Sequence, residues 1–227
     1  MKDGMASDYY QAEKGKNYAM RIGHNDLNHL GYTLQAQLFQ PYLTSEDTVL
    51  DFGCANGSLV VALRKTIKKI EGLEINETTR KIALSQEIHT YGSLEEIPGD
   101  KRYHKIISNH VLEHIPNAYG TLCALREKLH PGGKLIVVVP IEDIRQKENR
   151  VWVPHNLDRH LHTWTPLQFG NLLDEAGLIP EHLDIITQAW HPKLFFLGTG
   201  VLQRLAGWML ASVKCRRQLL AVASRRS

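Results

Sequence analysis

Asp51 closes the apolar run Val49-Leu50-Asp51-Phe52, which breaks at once into the turn Gly53-Cys54-Ala55-Asn56-Gly57. A carboxylate there has a chemical consequence. A turn that cradles a pyrophosphate offers backbone N–H groups and a helix N-terminus to the anion, and a neighbouring acid repels it. The same turn welcomes a cationic, amino-acid-like ligand. A second acid, Glu74, stands near the end of the run Lys69 to Ile75, about 20 residues beyond the turn, the distance at which a paired second strand brings its tip beside the first. Twelve histidines form the other reactive population, and neutral imidazole is the usual base near pH 7. They gather at His110 and His114, and again at His155, His160 and His162.

The elements that must position these groups follow from periodicity and breakers. Leu27, Leu30, Leu34 and Leu38 fall at helical spacing and stop at Pro41, so residues 1–44 read as an N-terminal helical cap or lid. A first strand covers 47–52, a helix 58–65, and a second strand 69–75. Asn76 caps a helix to about Glu87. Short strands follow at 88–91 and 103–108, then a helix over 119–129 that stops at His130-Pro131-Gly132-Gly133. Residues 134–139 make a strand apolar on both faces. Residues 140–163 lapse into a polar, histidine-rich loop of the kind that carries function. A helix over 165–176, a strand over 183–187, an apolar helix over 194–213 and a last strand over 217–224 complete the pass. Such alternation implies one α/β domain, 45–227, with a parallel sheet between helices.

Bulk properties exclude several classes. The 227 residues, 43% hydrophobic and 22% charged, are those of an ordinary globule with one buried core. A net charge of +3 is too small to argue for nucleic acid. Cys54, Cys123 and Cys215 lack paired or metal-like spacing, and residues 1–20 read as polar rather than as a signal peptide. A reducing, cytoplasmic setting is expected.

The glycine turn after Asp51 resembles the first motif of the class I S-adenosylmethionine-dependent methyltransferases. Three further segments resemble later motifs in the same order: Gly72 to Asn76, Lys105 to Ile115 and Leu129 to Pro140. The resemblance implies a Rossmann-like, doubly wound sheet of seven strands, mostly parallel with an antiparallel last strand. It implies S-adenosylmethionine as cofactor and S-adenosylhomocysteine as product. Asp51 would take the ammonium, and Gly53, Cys54, Ala55 and Gly57 would form the wall. Glu74 would bridge the ribose hydroxyls, with Ile75 beside it. Ser93 would accept from the adenine amino group, in place of the more usual acid, and Leu94 would pack on the ring. The carbonyl of Asn109, with His110 next to it, would meet the methionyl end.

The expected reaction is methyl transfer to a hydroxyl of a small molecule or glycan, with His110, His160 or His162 as base. His114 reads as structural. His110, Glu113, His114 and a later histidine partly resemble the metal set of certain small-RNA 2′-O-methyltransferases. His110 stands where that set needs an acid, so no metal is expected. Helix 194–213 suits internal packing, a membrane surface or a homodimer. A non-catalytic cofactor-binding module and an RNA methyltransferase are the alternatives, although no basic stripe with interleaved aromatics supports the latter. A nicotinamide oxidoreductase lacks its glycine spacing here.

Overall fold

The computed structural model describes residues 26–154, 156, 158–188 and 191–226; His155 and the first 25 residues of the cap lie outside them. The elements are α1 (Asp26–Phe39), β1 (Thr48–Phe52), α2 (Ser58–Leu63), β2 (Lys69–Leu73), α3 (Glu77–Ser85), β3 (Thr90–Tyr91) and β4 (Tyr103–Asn109). They continue with α4 (Ala118–Glu127), β5 (Leu129–Ile141), α5 (Pro166–Glu175), β6 (Leu178–Ile186), α6 (Val201–Val213) and β7 (Arg217–Arg225). The strands form one seven-stranded sheet ordered β3-β2-β1-β4-β5-β7-β6. Neighbours from β3 to β5 pair in parallel, and β7 runs antiparallel to both β5 and β6.

The apolar strands divide their side chains between two cores, as the pleat demands. Leu50, Ile106, Leu135 and Val137 face one core with Leu122 and Leu125 of α4 and Phe169 and Leu173 of α5. Val49, Ile107, Ile136 and Val138 face the other with Phe39 of α1, Leu59 and Leu63 of α2 and Ala83 of α3. Helices on both faces force the tips of β1 and β4 apart from any crossover, because their connections leave in opposite directions. That switch point is where such sheets bind ligands.

Three boundaries differ from the sequence reading. The His130–Gly133 turn signal lies inside β5 rather than before it. Gly132 adopts φ +71° and the pairing with β4 slips between Tyr103 and Lys105, so the breaker is absorbed as a bulge. β6 starts five residues early, at Leu178. It is an edge strand with a slip at Pro180/His182, where one exposed face dilutes the apolar pattern and proline is tolerated. The apolar helix over 194–213 is two pieces. A 3₁₀ turn, Pro192–Leu197, ends at Gly198 with φ +68°, and α6 begins only after Gly200. No helix among the described residues is long and apolar enough to cross a membrane.

α5 follows the loop after β5 and is started by a reciprocal cap. The Thr165 side chain accepts from the Gln168 N–H at 3.2 Å, while the Gln168 side chain accepts from the Thr165 N–H at 3.0 Å. Thr165→Ala is expected to cost about 1 kcal/mol, lowering Tm by roughly 2–4 °C at this size, measurable by calorimetry.

Candidate active site

A cavity of about 1140 Å³ opens at the tips of β1, β2, β4 and β5. The glycine turn contributes Asp51, Gly53, Cys54 and Ala55 to its wall, and the end of β2 contributes Glu74 and Ile75. Asn109 and His110 reach it from β4, and His160 from the loop after β5. The backbone explains the turn. Gly53 holds φ +79°, and a Cβ there would sit 2.3 Å from Val111 Cγ2. Its N–H and that of Cys54 both donate to the Leu73 carbonyl, at 2.8 and 3.0 Å. These bonds tie the first turn to the tip of β2 and place the two acids side by side.

Asp51 is 1% exposed, and neither of its carboxylate oxygens has a hydrogen-bond partner. Burial, and then the charge of Glu74, push its pKa up to about 8. A buried carboxylate left unpaired at a cavity wall is matched by a cation. Glu74 is differently placed. Oε2 accepts from the Ala55 N–H at 2.9 Å and Oε1 from the Asn76 N–H at 2.7 Å. Burial raises its pKa while those N–H groups and Arg80 oppose the rise. Each oxygen keeps accepting capacity for a hydroxyl. Burial, Asp51 and Glu74 push the Cys54 thiol up, so Cys54 is wall rather than nucleophile.

Four predicted residues lie elsewhere. Gly57 caps α2 beneath the turn, where a Cβ would meet Ile88 Cδ1 at 2.3 Å. Ser93 and Leu94 are not on the cavity wall; Leu94 is buried in the core beside α4. His162 also turns away. Its Nε2 bonds the Ile115 carbonyl at 2.9 Å, and its ring stacks on Trp164 at 5.3 Å between centroids. The alternation of His160 and His162 thus sends only His160 to the cavity.

Several wall residues carried no signal of their own. Tyr32 and Gln35 of α1 line the cavity, and burial and Asp51 together push the Tyr32 hydroxyl up to about 12. Gln35 Nε2 donates to Asn109 Oδ1 at 2.5 Å and to Gln218 Oε1 at 3.3 Å. Gln218 Oε1 also meets His110 Nε2 at 3.1 Å. One amide network therefore joins α1, β4 and β7. His110 holds φ +55°, a conformation costing a non-glycine residue about 1–3 kcal/mol, and its N–H is fixed on the Val138 carbonyl at 2.8 Å. Glu113 sits in the 3₁₀ turn Leu112–His114 and is wholly buried. Glu142 holds the Nδ1 of His160.

Comparison with known proteins agrees with this geometry. Residues 29–183 match the family model described as methyltransferase domain. None of the curated proteins is a significant match. A methyltransferase of Haloferax volcanii, solved with its activator, is 18% identical, with a TM-score of 0.66 and 97% of each chain covered. An S-adenosylmethionine-dependent methyltransferase of Thermotoga maritima is 15% identical, with a TM-score of 0.64 and 96% of this chain and 99% of that chain covered. A phosphoethanolamine N-methyltransferase of Haemonchus contortus, holding S-adenosylhomocysteine, is 13% identical; its TM-score is 0.63, with 97% of this chain and 59% of that chain covered. The chain belongs to the methyltransferase-domain family. It is a class I enzyme whose cofactor is S-adenosylmethionine.

Proposed function

We propose that the protein transfers a methyl group to a hydroxyl of a small molecule or glycan. The observation that carries this reading is the pairing of Asp51, with two unpartnered oxygens, and a group of imidazoles on one cavity wall. When bound, S-adenosylmethionine supplies a sulfonium-activated methyl group, and its transfer to a hydroxyl leaves S-adenosylhomocysteine and one proton. Asp51 would hold the ammonium, Glu74 the ribose hydroxyls and the Gly53–Ala55 turn the methionyl chain. The chain's own task is then to orient the acceptor, exclude water and receive the proton. His160, oriented through Nδ1 by Glu142, receives it. Nitrogen and carbon acceptors need no such group to the same degree. Arg216, Arg217 and Trp152 line the outer mouth, and this basic, aromatic rim suits a sugar or an anionic hydroxylated molecule.

Incubating the enzyme with methyl-labelled cofactor and a cell extract should give a product heavier by one CH₂, with the label on oxygen. Label on nitrogen, carbon or sulfur would overturn the acceptor class. Stoichiometric binding of S-adenosylhomocysteine without any turnover would favour a regulatory module. Glu74→Ala is expected to weaken cofactor binding by roughly 1.5–3 kcal/mol, the loss of charged hydrogen bonds, as read by calorimetric titration.

The partner surface is α6. Leu202, Leu205, Trp208, Met209 and Val213 are exposed by 53–83%, with the exposed Lys193 and Lys214 at either end of the segment. An apolar helix face with basic ends suits an anionic lipid surface, where a membrane-bound acceptor would be met. The protein should co-sediment with vesicles of anionic lipid, and Trp208→Glu should not. Concentration-dependent dimerisation lost in that variant, with no vesicle binding, would favour a homodimer instead.

A further inference from the structure

Glu113 is the most deeply buried acid of the cavity, at 0% exposure, and neither oxygen has a well-formed hydrogen bond. Leaving a carboxylate so is costly unless something charged satisfies it. What surrounds it is imidazole. His110 Nδ1 lies 3.4 Å and His114 Nε2 3.8 Å from Glu113 Oε1. The His114 and His160 rings are 4.9 Å apart. One ligand atom each from Glu113, His114 and His160 falls within 4.8 Å of the others. Donor atoms about 2.0–2.1 Å from a tetrahedral ion stand about 3.4 Å from one another, so the cluster is near that spacing before any ion draws it in.

The outer supports are in place as well. Glu142 fixes His160 through Nδ1, which leaves Nε2 as the free ligand atom. Gln218 meets His110 at Nε2, which leaves Nδ1 facing Glu113. His114 is also bonded to the backbone at Arg159. Such hydrogen bonds set the tautomer and aim of metal-binding histidines. All four residues line the cavity, which gives an ion its entry path.

We propose that Glu113, His114 and His160, with His110 beside them, bind one divalent transition-metal ion of the zinc or cobalt class. Two imidazole nitrogens and one carboxylate oxygen select that class over magnesium or calcium. The ligand set is carboxylate-poor, and histidine rather than an acid precedes Glu113 by three residues. With the ion bound, His114 and His160 serve as its ligands and not as bases, and the position left open faces the cavity, where the ion polarises an acceptor hydroxyl. That role rests on the methyl-transfer reading above, whereas binding of the ion does not.

Calorimetric titration of the chelator-treated full chain with Zn²⁺ and, separately, Co²⁺ tests it. One ion per chain is expected, with His114→Ala, His160→Ala and Glu113→Gln each weakening binding at least 100-fold. Glu142→Gln should weaken it ~10–100-fold, as for an orienting partner. His130→Ala, in the separate His104–His130 pair whose rings are 4.8 Å apart, should leave it unchanged. Cofactor-product affinity measured on the same samples reports whether each variant is folded, and the comparison is made on those that bind normally. No binding, binding that survives His114→Ala and His160→Ala, or loss through His130→Ala would overturn the proposal. Ion binding by a chain that ignores S-adenosylhomocysteine would instead count against the cofactor pocket and leave the ion site standing.

Discussion

Asp51→Asn is expected to weaken S-adenosylhomocysteine binding at least ~100-fold, because removing one partner of a buried ion pair costs about 3–5 kcal/mol. The pH dependence carries the sharper signature. In the ligand-free protein the Asp51 pKa is about 8, so near pH 7 the carboxyl is mostly protonated. An ammonium binds its ionised form, and binding therefore expels a proton. Affinity should rise with pH up to about 8, by at most tenfold per unit. It should fall again at higher pH, where the ligand's own amine loses its charge. Asp51→Asn should abolish the rising limb only. Titration in buffers of different ionisation enthalpy measures the proton directly.

The sign for stability runs the other way. The folded pKa lies above the unfolded value of 3.8, so the native state holds the proton longer than the unfolded chain. Stability of the ligand-free protein should therefore fall as pH rises between about 4 and 8. The Asn variant lacks that slope, so it should gain on the wild type as pH approaches 8 while losing its ligand. Function and stability are traded at one side chain.

His160→Ala is the second large effect. Removing the group that activates the acceptor hydroxyl, as its base or as a ligand of the ion that polarises it, costs typically 10²–10⁴ in kcat, with affinity for S-adenosylhomocysteine unchanged within a few-fold. Its neighbour but one supplies the contrast. His162 is bonded to the Ile115 carbonyl and stacked on Trp164, so His162→Ala should leave kcat within a few-fold and lower Tm. Equal loss of rate in both variants would remove His160 from its assigned part.

How much of this was legible depended on whether a residue advertises itself locally. Asp51 and Glu74 did, since an acid ending an apolar strand is anomalous wherever it occurs. The family and the seven-stranded, mostly parallel sheet followed from four such local pieces. The break in 194–213 was also written, in Pro192, Gly198 and Gly200, but the apolar residues between them outweighed the breakers. Glu142 and Gln218 were silent because each means something only beside a partner far along the chain. Glu142 meets His160 only once the loop after β5 folds back, and Gln218 meets His110 only when β7 has reached β5. Ser93 and Leu94 do not line the cavity, for the converse reason. The segment looked right, yet the packing of Leu94 behind α4 takes it off the wall.

The sheet order carries one more consequence. β6 touches nothing but β7 in the sheet, and β7 lies between it and β5. During synthesis β6 therefore emerges with no place to go until the following strand arrives and inserts ahead of it. Five of the seven strands can zip up from the leading end while this pair remains loose, and contacts so distant along the chain are slow to form. Gln218, which completes the amide network, rides in on that late strand. The nascent enzyme should thus acquire its nucleoside grip well before its acceptor end, and a stalled chain released before Arg217 should retain the first without the second.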